Sequence, residues 1–235
     1  MTVAPTLTTL VDCRQTFYRI TSPRFHTPRK ADHFKVVNGQ GAIRSLRGSR
    51  YNHPGASTIY LTEDMETCFA ERIFYLHRQI VRGLDASHIS SILPPFSHHL
   101  ILWEIKFAKS IGNVVDLRKD FSLFSIFPSM MTNPSQDYEH LKQKRAEIQH
   151  RGYEGLIAPS SRSTKPGSLV VLFNDQTKNI RSIDPFELKV RLINMDGKPF
   201  ANHTTELLDF DAAEVRLTGH GTGAYDNWTK IQFNH

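Results

Sequence analysis

The sequence is poor in cysteine: its 235 residues include only Cys13 and Cys68, which lack the Cys-x-x-Cys spacing of zinc and redox motifs. A chain of this size needs no disulfide staples, so reduced thiols in a cytoplasmic protein are expected. No run approaches about 18 apolar residues, the length that a membrane-spanning helix requires. Residues 1–10 lack the basic start and long apolar stretch of an export signal. We therefore expect neither secretion nor a membrane span.

Metal-binding and nucleotide-loop patterns are also missing. The 12 histidines, including the pair His98 and His99, have no companion cysteine or carboxylate at metal-ligand spacing, so no metal site is expected. The glycine-rich stretch 219–223 has neither the lysine of a P-loop nor its strand-turn-helix setting, and it is predicted to be a flexible turn.

The composition is that of an ordinary globular protein, with 39% hydrophobic and 22% charged residues. One domain spanning residues 1–235 is therefore expected. The formal charge of +6 and the pI near 9.4 would attract phosphate-rich ligands, nucleic acid or an acidic protein, and they do not choose among these.

Short apolar runs separated by turn signals predict a fold built mainly on sheet. In one of them, Ile101 and Trp103 fall on one face while Glu104 and Lys106 fall on the other, the alternation of a half-buried strand. The strand candidates are residues 17–21, 58–61, 100–107, 114–117, 155–158, 169–173 and 186–193.

Two helices are predicted from capping signals and a 3.6-residue period. The first follows Thr62 as N-cap, and its apolar face is Met65, Cys68, Phe69, Ile73, Leu76 and Ile80. The second begins at Asn133 and Pro134 and ends before Gly152, with an inner side of Tyr138, Leu141, Arg145 and Ile148. Residues 22–49, rich in proline, glycine and basic side chains, are predicted to form a long mobile loop.

Glu71 is the sharpest candidate for chemistry, because it lies outside the apolar stripe of the first predicted helix. Phe74 and Tyr75, three and four residues later, offer it no ion-pair partner. The strand that leads into this helix has an aromatic residue, Tyr60, near its C-terminal end. A solvent-exposed helix glutamate and a core tyrosine are the alternative readings.

Two arginines are candidates for binding an anion. Arg19 follows Tyr18 in the first of these strand candidates, and Arg50 precedes Tyr51 and Asn52. The fixed fork of guanidinium donors suits phosphate oxygens. The alternative is surface charge, since the chain has 29 lysines and arginines, and Asn52 could simply anchor a turn.

The last candidate motif ends at Ser160. It consists of a glycine turn, a buried strand and a proline-serine pair. The Ser160 hydroxyl could hydrogen-bond Glu71 or a ligand, whereas a serine that caps a strand end is equally compatible with the pattern. No histidine and aspartate partners are implied, so Ser160 is not assigned as a nucleophile. Ser161 is the alternative if the register slips by one residue.

These pieces, in order, resemble the RES domain family, which is named for its arginine, glutamate and serine and is related to ADP-ribosyltransferases. The resemblance covers roughly residues 17–174 and departs from the family at Tyr51, where tryptophan is common, and at Ser49, where glycine is common. It implies an α+β fold with a split central sheet and flanking helices. Residues 175–235 would then add C-terminal strands and an extension.

The resemblance also implies NAD as the substrate. Glu71 and Tyr60 would be catalytic: Glu71 would hold the nicotinamide ribose and stabilise the oxocarbenium-like state, while Tyr60 would stack on nicotinamide. The NAD site would be lined by Tyr18, Arg19, Arg50, Asn52, Tyr60 and Ser160.

Members of the family act as the toxic half of bacterial toxin-antitoxin pairs. The implied partner is an antitoxin that usually carries a helix-turn-helix domain, so nucleic acid would be contacted only through that partner, and a homodimer is an option. Two chemistries stay open: breakdown of NAD by water or phosphate, and transfer of ADP-ribose to a protein.

Two further classes of function stand beside this one. A non-catalytic nucleic-acid-binding protein is permitted by the pI, although the sequence has no helix-turn-helix or RNP motif. A RES-like protein that has lost toxicity and serves as a binding or immunity module is the other. The joint presence of Arg19, Arg50, Tyr60 and Glu71 argues against it.

Overall fold

The structure is a computed structural model that describes residues 8–21, 50–72, 98–119, 137–160, 166–173, 176–194, 210–218, 227 and 229–232. Within these residues ten strands form one hydrogen-bonded sheet. The strands are β1 (Thr8–Val11), β2 (Phe17–Thr21), β3 (Thr58–Thr62), β4 (His98–Phe107), β5 (Ile111–Asp116), β6 (Gly155–Pro159), β7 (Ser168–Phe173), β8 (Ile180–Asn194), β9 (Phe210–Thr218) and β10 (Thr229–Gln232). Residues 65–72 are helical and are called α1, α2 is Asp137–His150, and a 3-10 turn spans Thr177–Asn179.

The sheet is mixed, in the order β1-β5-β6-β7-β3-β2-β4-β8-β9-β10. Its parallel pair, β5 and β6, is joined by the stretch that contains α2, since parallel neighbours need a crossover connection. The other neighbours pair antiparallel. The expected α+β class is confirmed.

The sheet is nearly divided between β2 and β3. These strands share a single paired position, Tyr18 with Thr62, whereas β2 pairs with β4 over five positions and β3 pairs with β7 over five. One half therefore contains β1, β5, β6, β7 and β3, and the other contains β2, β4, β8, β9 and β10. This junction is the split that the sequence resemblance implied.

Each face of the sheet carries its own apolar cluster. On one face, Phe17 and Phe107 meet edge to face with ring centroids 5.7 Å apart, beside the fully buried Trp103. On the other face, the α2 residues Leu141 and Ile148 pack against a cluster that includes Tyr51, Leu156, Val171 and Phe173. The alternation predicted for β4 is confirmed, because Ile101 to Phe107 are buried at odd positions while Lys106 is exposed.

The N-cap of helix α1 lies two residues later than the sequence predicts. The Asp64 carboxylate accepts a hydrogen bond from the Thr67 amide at 2.7 Å, which makes Asp64 the N-cap. The Thr62 hydroxyl instead donates to the Asp64 carbonyl at 2.9 Å, so the assignment of Thr62 was wrong. Cys68 and Phe69 are buried as predicted, while the predicted positions Ile73, Leu76 and Ile80 lie outside the described residues.

Helix α2 ends as the sequence predicts. Gly152 adopts a positive φ of 86°, and its amide bonds the Gln149 carbonyl while the Tyr153 amide reaches the Ile148 carbonyl. These two bonds form a Schellman motif, in which glycine tolerates the left-handed conformation. The predicted start at Asn133 and Pro134 lies outside the described residues.

All seven predicted strands are present, and β1, β9 and β10 are additional. The predicted loop 22–49, which includes Arg44 and Arg47, and the turn 219–223 fall outside the described part of the chain. Among the described helices, none is long and apolar enough to cross a membrane.

Candidate functional site

The candidate site lies where β2 and β3 part. Beyond their one paired position, the Arg19 side chain of β2 reaches across and donates from Nη1 to the Tyr60 carbonyl of β3 at 3.4 Å. Arg19 therefore bridges a gap that the backbone ladder leaves open. Burial lowers the pKa of Arg19 to about 10, although the neighbouring Cys68 and Tyr60 act to raise it.

Glu71 of α1 and Ser160, which follows β6, are in direct contact. The Ser160 hydroxyl donates to Glu71 Oε1 at 2.8 Å, and the Glu71 side chain is 18% exposed. Ser160 is fixed by its own amide, which bonds the Gly167 carbonyl at 2.8 Å across the neck of the β6–β7 hairpin. The carboxylate is thus oriented by a hydroxyl on a separate element while it stays open to a ligand.

Arg50 lies on the other side of the same carboxylate. Its Nη2 is 3.8 Å from Glu71 Oε2, an ion-pair distance rather than a hydrogen bond. Its Nε and Nη1 atoms are buried and have no hydrogen-bond partner among the described residues. A buried donor without a partner is costly. An anion in contact with these two atoms would satisfy them.

Arg50 stays positively charged despite its burial. Burial acts to lower the pKa of Arg50, but attraction to Glu71 and the neighbouring Tyr138 and Tyr51 outweighs it, so the net shift is upward. The Tyr138 ring of α2 lies 5.8 Å from the guanidinium, within cation-π range.

Tyr60 is held at its phenol end. The Tyr60 hydroxyl donates to Asn52 Oδ1 at 2.8 Å and accepts a hydrogen bond from the Tyr51 amide at 3.0 Å. Asn52 is fully buried and also donates to the His53 carbonyl at 3.2 Å. The half-buried Tyr60 ring is therefore fixed in one orientation, which is what a stacking platform requires.

Tyr51 is a core residue. Its ring is fully buried in the cluster beneath α2, and burial raises the pKa of its hydroxyl. The residue that departs from the family pattern therefore fills the core, and its backbone amide supports Tyr60.

The structure brings most of the candidate residues into one place. Arg50, Glu71 and Ser160 are in direct contact or ion-pair range, and Arg19 and Asn52 are tied to Tyr60. Tyr18 is half-buried at the start of the split, opposite Thr62. The alternative serine, Ser161, lies outside the described residues.

A network that the sequence analysis missed fixes the start of α1. The Arg118 guanidinium donates two hydrogen bonds to the buried Asp116 at the end of β5, at 2.8 and 2.9 Å. Its Nη1 also donates to Glu63 at 3.0 Å and to Ser168 at 2.7 Å. The Asp-x-Arg spacing at a strand end was the available signal, and it gave no indication of Glu63 as the third partner.

A close approach completes this support. A Cβ atom added at Gly167 would lie 1.9 Å from the Thr67 Oγ1 atom. Only glycine lets the hairpin neck approach α1 this closely. The neck carries the carbonyl that positions Ser160, so Thr67 and Gly167 set the spacing between the Glu71 helix and the Ser160 strand.

The chemistry available here is that of a carboxylate beside buried cations. Glu71 can stabilise developing positive charge on a ligand, and Arg50 can bind negative charge next to it. Thiol chemistry is not favoured, because burial raises the pKa of Cys68 to about 12. Among the described residues, no group of three or more His, Cys, Asp or Glu side chains could hold a metal ion.

Comparison with known proteins identifies one family. A model described as the RES domain matches residues 16–192, well over half of the chain. A solved structure that resembles the chain is the crystal structure of the M. tuberculosis MbcT-MbcA toxin-antitoxin complex, at 18% identity and a TM-score of 0.46, covering 73% of this chain and 83% of that chain. No curated protein matches the chain.

Proposed function

Because the chain belongs to the RES domain family, we propose that it is a toxin that cleaves the bond between nicotinamide and ribose in NAD. The observation that carries this proposal is the Glu71 carboxylate, held by Ser160 at 2.8 Å and faced by Arg50 at 3.8 Å. An acidic group and an unsatisfied guanidinium side by side suit a ligand that joins a cationic ring to a diphosphate.

Glu71 is the proposed catalytic residue. Loss of nicotinamide develops positive charge on the ribose, and a fixed carboxylate stabilises that charge and accepts hydrogen bonds from the ribose hydroxyls. Ser160 keeps one carboxylate oxygen in place, which lowers the reorganisation needed when the charge forms. Ser160 itself forms no covalent intermediate in this proposal.

The arginines are proposed to bind the diphosphate. Arg50 offers its buried Nε and Nη1 atoms, and Arg19 has spare donors beyond the one that bonds the Tyr60 carbonyl. Binding an anion would repay the desolvation that lowers the pKa of Arg19. Tyr60, fixed at its hydroxyl by Asn52, would present its ring to the nicotinamide.

The acceptor distinguishes three outcomes of the same bond cleavage. Water would give ADP-ribose, inorganic phosphate would give a phosphorylated ADP-ribose, and a protein nucleophile would give an ADP-ribosylated target. The same carboxylate and arginines serve each of them. We propose degradation of NAD by water or phosphate as the main activity, with protein modification as the alternative.

The proposed setting is the bacterial cytoplasm, with a cognate antitoxin that carries a helix-turn-helix domain. Such a partner would silence the enzyme by covering the split between β2 and β3. Direct binding of nucleic acid is not favoured by any specific arrangement of the described residues.

The test is to incubate the purified chain with NAD, with and without inorganic phosphate, and to separate the products by chromatography. If water is the acceptor, the proposal expects free nicotinamide and ADP-ribose in both mixtures. If phosphate is the acceptor, it expects free nicotinamide and a phosphorylated ADP-ribose only in the mixture that contains phosphate. No nicotinamide in either mixture, while a protein extract containing labelled NAD becomes labelled, would favour ADP-ribosyl transfer. No reaction in any mixture would contradict an enzymatic role.

A further inference from the structure

Arg145 of α2 is a buried cation that has no carboxylate partner among the described residues. Its side chain is 7% exposed, and its Nε atom is buried with no hydrogen-bond partner among the described residues. Its guanidinium carbon lies 4.7 Å above the Phe173 ring. The ring supports the cation from one side, and Nε, one donor of the guanidinium fork, lacks a partner among the described residues.

The other buried basic residues of this region are paired. Lys142, one turn earlier in α2, lies 3.2 Å from Glu139, and Arg50 lies 3.8 Å from Glu71. Arginine is almost never buried without such a partner. No salt bridge of Arg145 occurs within the described part of the chain, so Arg145 differs from the buried basic residues Arg50 and Lys142.

Arg145 belongs to the same side of the sheet as the proposed cleft. Tyr138, seven residues earlier and therefore on the same face of α2, lies 5.8 Å from Arg50. Tyr60 and Phe173 pack in the cluster beneath this helix. Burial lowers the pKa of Arg145, and the nearby Tyr60 hydroxyl acts to raise it. Arg145 therefore lies close to Tyr60, the residue that lines the split.

We propose that Arg145 is a third phosphate-binding residue of the cleft, in addition to Arg19 and Arg50. It would donate its forked edge to the oxygens of a phosphate group, and this assignment rests on the proposed cleft as the place where the ligand lies. The phosphate can belong to the diphosphate of a bound nucleotide or be free inorganic phosphate. Both present the same tetrahedral oxyanion to the guanidinium.

Binding measurements separate the two sources of phosphate. Calorimetry would measure the affinity of the wild-type chain, Arg145→Met and Arg145→Lys for ADP-ribose and, separately, for inorganic phosphate. We expect Arg145→Met to weaken the ligand that Arg145 contacts by about tenfold or more, as for loss of a charge-assisted hydrogen bond. Arg145→Lys keeps the charge but not the fork, so its loss should be smaller. The matched control is Arg181→Met, an exposed arginine of β8, and its affinities should equal those of the wild type.

Folding is monitored by the melting temperature without ligand, which Arg145→Met should keep or raise because it places an apolar side chain in an apolar setting. If Arg145→Met does not fold, Arg145→Lys decides, and an unchanged affinity for both ligands overturns the assignment. The assignment is also overturned if Arg145→Met binds both ligands like the wild type, or if the wild type binds neither.

The inference and the proposed function fail separately. Binding of ADP-ribose or phosphate through Arg145, with NAD left intact, would support the phosphate site and contradict NAD cleavage. Release of nicotinamide, with ligand affinities unaffected by Arg145→Met, would support NAD cleavage and contradict the assignment of Arg145.

Discussion

The Ser160 hydroxyl donates a hydrogen bond to Glu71 at 2.8 Å, although 89 residues separate the two in the chain. One residue lies on helix α1 and the other directly follows strand β6. Their meeting depends on the hairpin neck at Gly167 and on the network around Arg118 that fixes the start of α1. The geometry of the carboxylate is therefore a property of the whole fold rather than of one motif.

Replacing Ser160 by alanine removes the hydrogen bond that orients Glu71. A bond to a charged group is worth roughly 1.5–3 kcal/mol, so kcat for nicotinamide release should fall about ten- to a hundredfold. KM should change little, because the arginines that are proposed to bind the diphosphate are untouched. Ser182→Ala, on β8, is the control and should match the wild type. An equal rise in KM with unchanged kcat would show that Ser160 binds substrate instead of orienting Glu71.

Arg50→Lys should weaken NAD binding while it preserves the charge. Lysine cannot reproduce the two buried donors, Nε and Nη1, so the Kd for NAD should rise about ten- to a hundredfold. Calorimetry with a slowly cleaved NAD analogue measures this directly. Wild-type affinity in a folded Arg50→Lys protein would mean that the ligand does not reach these donors.

Gly167→Ala should displace α1 from the hairpin neck. The new Cβ would lie 1.9 Å from Thr67 Oγ1, so either the helix or the neck must move. We expect a loss of stability of about 1–3 kcal/mol and a reduced kcat, both measured beside Gly112→Ala. A Cβ at Gly112 meets nothing within 4 Å, so that variant should keep kcat. Thr67→Ala added to Gly167→Ala should restore part of the activity, and full activity of Gly167→Ala alone would refute the spacing role.

Asp116 should make the free energy of unfolding depend on pH in the acidic range. Burial acts to raise the pKa of Asp116, but its hydrogen bonds and ion pair with Arg118 outweigh it, so the pKa lies below the ordinary value of 3.8. Its contribution is therefore complete above that value and is lost as the pH falls through the lowered pKa. Asp116→Asn should cost roughly 1–3 kcal/mol of unfolding free energy at pH 7.

Urea unfolding at pH 7 and at successively lower pH values below 3.8 tests whether the stabilisation by Asp116 is lost as the pH falls. The difference between wild type and Asp116→Asn should shrink as the pH falls, whereas Asp184→Asn, on an exposed site of β8, should stay within about 0.5 kcal/mol of the wild type throughout. A difference that is constant with pH would show that the carboxylate charge is not what stabilises the fold.

The sequence predicted the central strands because their signals are local. The runs that became β2 to β8 combine β-branched or aromatic residues with turn signals at both ends. Strand β9, with Asp211, Ala212, Ala213 and Glu214 in succession, has little of this signal, and its place depends on pairing with β8. β1 has β-branched residues but was missed because it is only four residues long, and its place depends on pairing with the distant β5.

The site was predictable only in part. The family resemblance selected Glu71, Arg50 and Ser160, and the structure brings these three together. Their contacts could not be derived from local patterns, because each residue comes from a different element. Arg145 was recognised only as an inner residue of α2, since periodicity places a side chain on a face and does not reveal whether its charge has a partner.

The most direct test of the central claim compares nicotinamide release from NAD by the wild-type chain and by Glu71→Gln, with NAD affinity measured in parallel. Glutamine keeps the size and the hydrogen-bond acceptor for Ser160 but removes the charge. We predict that kcat falls at least about a hundredfold while the affinity stays within about threefold. Glu66→Gln, the same substitution on the same helix, should retain activity. A folded Glu71→Gln protein that releases nicotinamide at the wild-type rate would contradict the account.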